Sequence, residues 1–385
     1  MIQGIVQSGT VSASDILVTT RRDIIMGTDG IATVLNATNR FLARSTEGNV
    51  DLRSASVDSA SVLVSAANGS LLGSGSLTSL NDIGITVAAN INAASINSGG
   101  QLTTTALVGG ALETAYAVPG SIAVDSLTQG GAVDVTILAG TGIRLGRINL
   151  PGNRAIALTT TNGDAFLGSN SSAASIAMLA ANVGFNSLLS TGTITLNATV
   201  GNLTGSGPGD LSAGGTIDLD AANAIRFTNG ASPAGFTANA GGAISFGNVT
   251  GRDIRFAAGQ GITGGSAISP LATGGLFDRV VLNAGGDVLI SGTVQAADIV
   301  DIDGINLVLG TVSSDDANLR GTGTVNIASL LGRSQVVQGT AVTLGALVTA
   351  DTATVTATAG NITTGNLTGG SAVLNATGNV AVADS

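Results

Sequence analysis

The sequence predicts an all-β chain wound as a parallel β-helix, a β-solenoid of about 17–20 residues per coil. Three observations carry that expectation. Toward the C-terminus, the stretches 279–297, 298–315, 316–332, 333–351 and 352–370 repeat one pattern of short apolar bursts separated by Gly, Asn, Asp, Ser or Thr. Two independent apolar series keep nearly constant stride: Ile290, Leu307, Val325, Val342, Ile362 and Val380 step by 17, 18, 17, 20 and 18 residues, and Val294, Val312, Leu330, Leu347 and Leu367 by 18, 18, 17 and 20. Within each burst apolar and polar residues alternate, as in Val325-Asn326-Ile327, which is the period of a strand and not of a helix.

The elements follow in chain order. The N-terminus, MIQGIVQSGTVSASDILV, enters coil-like sequence directly, without the basic and apolar regions of a signal peptide. Residues 109–121 interrupt the rhythm and carry Glu113, the single tyrosine Tyr116 and Pro119. The uncharged span 165–209 reads as further coils, and 205–215 adds a Gly-rich turn. The coil beginning at Arg252 swells to about 27 residues through 264–277; insertions in solenoids become loops on one face. Gly and Asn suit the turns because they tolerate positive φ. Inward Val, Ile and Leu are expected to stack on the same residue types one coil away, about 4.8 Å along the axis. Roughly 20 coils result at about 19 residues each. An antiparallel sandwich is the competing architecture and would need hairpins joining longer strands. No Pro-rich or charged linker divides the chain, so 1–385 is expected to be one continuous solenoid, and its uncapped ends mark an interior fragment of a longer chain.

Composition narrows the function. Hydrophobic residues make up 44% but aromatics only 2%, which predicts a narrow core of small aliphatic side chains. All 14 basic residues are Arg, and the net charge of −10 argues against nucleic acid. Without Cys or His, triads of the Ser-His-Asp or Cys-His kind and ordinary zinc sites are excluded; without Lys, so is a Schiff base. No apolar run is long enough for a transmembrane helix, and the aromatic girdles of an outer-membrane barrel are missing. The expectation is a protein that is not an enzyme, with no catalytic residue, cofactor or metal.

Several residues still invite chemistry. Asp278, Asp298 and Asp316 each precede the first strand of a coil, and stacked they would form an acidic ladder able to bind Ca²⁺; as solvated turn residues they would do nothing. Asp298, Asp301 and Asp303 with Arg320 are the candidates for a carbohydrate-active site, because Asp301 and Asp303 alternate with Ile302 and share a face. Outside these, Glu47, Glu113 and Tyr116 complete the acid–base inventory. Gly259, Gly261 and Gly264 match G-x-G-x-x-G, but a dinucleotide site needs a helix after it. The Thr pairs at Thr193/Thr195 and Thr354/Thr356/Thr358 are expected to be ordinary strand residues. Nine N-x-[ST] sequons begin at Asn36, Asn68, Asn170, Asn197, Asn202, Asn248, Asn361, Asn366 and Asn375, as a chain rich in Asn and Thr produces by chance.

TATAGNITTGNLTGG, VLNAGGDVLISGTVQA and SAVLNATGNVAV share the unit apolar–x–apolar–Asn/Thr–Ala–x–Gly–Asn/Asp–apolar. Over most of 190–385, and more loosely over 1–190, this resembles the repeats of filamentous-haemagglutinin-like exoproteins of bacterial two-partner secretion. The resemblance implies a right-handed β-helical stalk, secreted to the bacterial surface, reaching hosts or neighbouring cells and N-glycosylated in some relatives. The Asn-Pro-Asn motifs of that family's secretion domain and an Arg-Gly-Asp tripeptide are both missing. On this reading the partners are surface glycans or proteins, or other copies of the chain joined end to end or side by side. The alternative is a β-helical polysaccharide lyase or hydrolase.

Overall fold

A computed structural model describes residues 9–27, 32–81, 83–88, 91–98, 102–106, 116–118, 121–129, 135–149, 154–168, 171–270 and 278–383. Among these residues there is no helix, and the strands stack as a β-solenoid of about 16 turns, fewer than the uniform stride implies because several coils are longer. The coil-to-coil pairings run parallel, which excludes the antiparallel sandwich. Contacts cluster into two compact units, Met1–Ser190 and Thr191–Ser385.

In the second unit one inward column runs Ile194, Ile217, Phe236, Ile254, Val280, Val300, Ala317, Gln335 and Ala353 in unbroken register. Its steps are 23, 19, 18, 26, 20, 17, 18 and 18 residues, and the two long ones fall where 205–215 and 264–277 are inserted. The next wall carries Leu203, Ile225, Ile244, Ile262, Val288, Leu307, Val325, Val342 and Ile362, all buried. Each such side chain contributes about 1.5–3 kcal/mol by leaving water. The series Val294, Val312, Leu330, Leu347 and Leu367 stacks as expected on the third wall. The first series needs one correction: Val288, not Ile290, pairs with Leu307, and Ile290 stacks on Leu309 one inward position further on. Pairing also continues through the corners, so late strands such as Ala341–Ala357 run 17 residues where short separate strands are expected.

The core is wider than composition suggests. Phe227, Phe236, Phe246 and Phe256 are buried together on neighbouring coils, with Phe227 stacked on Phe236 at 5.3 Å between ring centroids and Phe246 edge-on to Phe256 at 5.1 Å. Two inward glycines make the room. Gly230 stands in the column of Leu211 and Val249, and a Cβ there would collide with the Phe236 ring. Gly264 pairs with Phe246, and a Cβ there would collide with that ring. The small-aliphatic core is therefore broken by an aromatic cluster that fits because its neighbours have no side chain.

The first unit is built alike but less evenly. Its backbone register runs Ile24, Val50, Leu71, Ile91, Ile122, Ile143, Ala165 and Val183, in steps of 26, 21, 20, 31, 21, 22 and 18 residues. The coil of 31 contains 109–121, of which only strand Tyr116–Val118 and Ser121 are described; Glu113 and Pro119 lie outside the described residues. On the outer face the Arg144 guanidinium sits 5.0 Å over the Phe166 ring, a cation–π contact, while Gly184 leaves space on that ring's other side.

Candidate functional site

The repeating unit has a physical meaning at every position. Its two inward apolar residues are followed by an outward Asn or Thr, then by a corner where only small residues fit: Ala198, Ala221, Ala240, Ala258 and Ala284 pair in register. After the corner, the Asn or Asp oxygen accepts a main-chain N–H from the next coil. Asp23 accepts from Asn49 at 2.6 Å, Asn49 from Ser70 at 2.8 Å, Asp287 from Asn306 at 3.1 Å, Asn306 from Thr324 at 2.9 Å and Asn361 from Asn379 at 2.8 Å. The glycine before it is dictated by the same bond. A Cβ on Gly48, Gly323 or Gly378 would collide with the accepting oxygen of Asp23, Asn306 or Asn361 in the coil below.

A second ladder manages charge. Among the described residues, an Asn amide donates repeatedly to an Asp carboxylate one coil earlier: Asn39 to Asp15 at 3.0 Å, Asn182 to Asp164 at 2.8 Å, Asn229 to Asp210 at 2.8 Å, Asn239 to Asp220 at 3.0 Å, Asn306 to Asp287 at 2.9 Å and Asn318 to Asp301 at 3.1 Å. Amide groups thus do for many acids what Lys does elsewhere. Arginine serves other acids, with its shortest Asp pairs where the coil swells: Asp253 pairs with both Arg255 and Arg279 at 2.9 Å, and Arg252 reaches the buried Asp278 at 3.4 Å.

The candidate acids separate into different roles. Main-chain bonds link Asp278, Asp298 and Asp316 on successive coils, the Asp298 N–H donating to the Asp278 carbonyl at 3.1 Å and the Asp316 N–H to that of Asp298 at 2.8 Å, but their carboxylates do not gather into an acidic ladder. Ile299, not Asp298, is the register partner of Asp316, and the Asp298 carboxylate accepts from the Asp278 main chain at 2.9 Å. No cluster of three or more acidic side chains able to hold a metal ion is found among the described residues. Asp301 and Asp303 do share the outward face of strand Ile299–Gly304, in register with Asn318 and Arg320. Arg320 approaches Asp303 at 3.9 Å, while Asp298 belongs to the preceding turn. Burial, then the charge of Asp303, push the Asp301 pKa above the ordinary carboxylate value; Arg320 and the Asn318 hydrogen bond pull the other way.

The folded carboxyl of Asp301 holds its proton more firmly than the unfolded one. The stability that this carboxyl contributes is thus fully present below the ordinary Asp range and is lost as pH rises through the raised folded value. Asp301→Asn is expected to unfold at a higher temperature than the native chain at neutral pH, with the difference vanishing in acid. Thermal melts at both pH values check this, and an unchanged melt at neutral pH would refute it.

The other motifs take structural places. Glu47 pairs with Arg21 at 2.5 Å on the surface. Gly259 through Gly264 pass from a turn into strand Ile262–Ile268, with no helix after them. Thr195 pairs with Asp218 and Thr354 with Val336, so no continuous Thr face forms there. Among the sequons, Asn202 and Asn361 spend their side-chain oxygens on the coil above, whereas Asn170 lies outside the described residues. The aromatic–glycine fit and the Asn-over-Asp ladder escaped the sequence. Their only signals are Phe spacing and a glycine at an inward position.

Fold and surface define a β-solenoid repeat protein. No family model, no curated protein and no solved structure matches the chain.

Proposed function

We propose that the chain is a structural and adhesive segment of a secreted bacterial surface protein, a β-helical stalk or filament without catalysis. The observation that carries this reading is the continuity of the inward columns and of the hydrogen-bonded rungs from coil to coil. Such a stack spaces other parts apart, and its mainly uncharged polar faces suit contact with host or neighbouring-cell surfaces or with other copies. Immunogold electron microscopy of producing cells is the test: gold strung along surface fibres is expected, and free protein in the medium with bare cells would overturn the reading.

One observation favours a second reading. Burial, and then the charge of Asp303 beside it, make Asp301 hold its proton more firmly, as a general acid needs, which suits a carbohydrate-active enzyme. Turnover of acidic or neutral polysaccharides that disappears in Asp301→Asn would establish it.

A further inference from the structure

We infer that a groove on the outer face of the second unit docks a neutral linear glycan. The inference rests on the adhesive reading and gives it a partner and a place. The groove measures about 430 Å³ and crosses the coils of Asn197, Asp220, Asn239, Ala257 and Asn283, which follow one another in register. Ala257 creates it: an alanine interrupts an outward column otherwise made of amides and a carboxylate. The adjoining turns keep the floor shallow. A Cβ on Gly259 would collide with the carbonyl oxygen of the turn beneath, so the turns stack at backbone distance.

The chemistry of the walls selects the ligand. Four coil spacings of about 4.8 Å make a recess about 19 Å long, open along the axis, which suits a chain of repeating units and not a single small molecule. Each Asn amide offers donors and an acceptor, and Asp220 offers further acceptors, the partners that sugar hydroxyls require. Asn239 already donates to Asp220 and fixes that carboxylate in place. No basic side chain lines the groove and one acid does, which disfavours anionic polymers. The main chain of these strands is committed to coil-to-coil pairing, so an extended peptide cannot add as a further strand. Without an aromatic platform the affinity of one site is weak, with a Kd of about 1 mM; many sites on a fibre would compensate.

The test is titration of the whole chain, by ligand-observed NMR, with neutral β-linked gluco-, manno- and N-acetylglucosaminyl tetrasaccharides and with a uronic-acid tetrasaccharide. At least one neutral probe is expected to bind, and the uronic acid more weakly than it. Ala257→Leu fills the recess from a solvent-facing position, leaves the core untouched, and is expected to weaken binding tenfold or more; Asn283→Ala weakens it several-fold. Silence across the neutral panel, preference for the uronic acid, or binding unchanged in Ala257→Leu would each overturn the proposal. None of these results alters where immunogold places the chain, so failure of the groove and failure of the adhesive reading are told apart.

Discussion

Phe236→Ala is expected to cost about 3–5 kcal/mol, the range for emptying a large aromatic site. The reason lies in the neighbours. Phe236 is fully buried and touches Phe227 and Phe256, and its ring occupies the space that Leu211 and Val249 fill on adjoining coils. The converse change, Gly230→Leu, forces a side chain into that ring and is expected to cost about 1–3 kcal/mol or more by overpacking. Combined, Gly230→Leu with Phe236→Leu should recover part of the loss, because Leu at 230 restores the aliphatic column while a smaller residue vacates the space. Contacting residues couple in this way, and distant ones add. Solenoid coils open in groups, so the proper readout is hydrogen exchange of the amides in 217–262, not one global midpoint. A double variant that loses as much as Gly230→Leu and Phe236→Leu lose singly, added together, would refute the ring-over-glycine account.

This cluster marks the limit of what the sequence discloses. Alternation and stride suffice for the parallel coil, because stacking requires each inward apolar residue to meet another one coil on. The series from Val294 to Leu367 shows this without error. The misplacement of Ile290 has a local cause. Val288 and Ile290 both face inward around Leu289, and the register shifts between Ile290 and Thr293, so counting back from Leu307 cannot choose between them. Proximity to a strand start does not disclose burial either, since Asp278 is buried against Arg252 while Asp316 is exposed. Asp301 and Asp303 were legible because period-two alternation alone puts them on one face; Arg320 stands a whole coil later, beside Asp303 only through the register of the two strands. The Asn-over-Asp ladder was not legible, since each pair spans a whole coil whose length varies.

The repeating unit itself can be tested at one rung. Asn306 ties three coils together: its main-chain N–H and its amide both donate to Asp287, and its oxygen accepts from the main chain and hydroxyl of Thr324 at 2.9 and 3.1 Å. Asn306→Ala removes the side-chain bonds but leaves exposed partners that water can reach, so the loss should be about 1–2 kcal/mol and not the full penalty of buried orphans. Gly323→Ala attacks the same rung from above, because the new Cβ collides with the Asn306 oxygen and also lies 3.1 Å from the Ile305 carbonyl. Overpacking there is expected to cost about 1–3 kcal/mol. Together the two changes should cost less than their sum, because removing the amide removes the principal collision. Hydrogen exchange at the Thr324 amide provides the measurement. If Gly323→Ala is as damaging in the Asn306→Ala background as in the native chain, the glycine serves some purpose other than the rung. A cost that falls in that background would mean that Gly and Asn recur as a pair because the hydrogen bond needed by one coil excludes a side chain from the next.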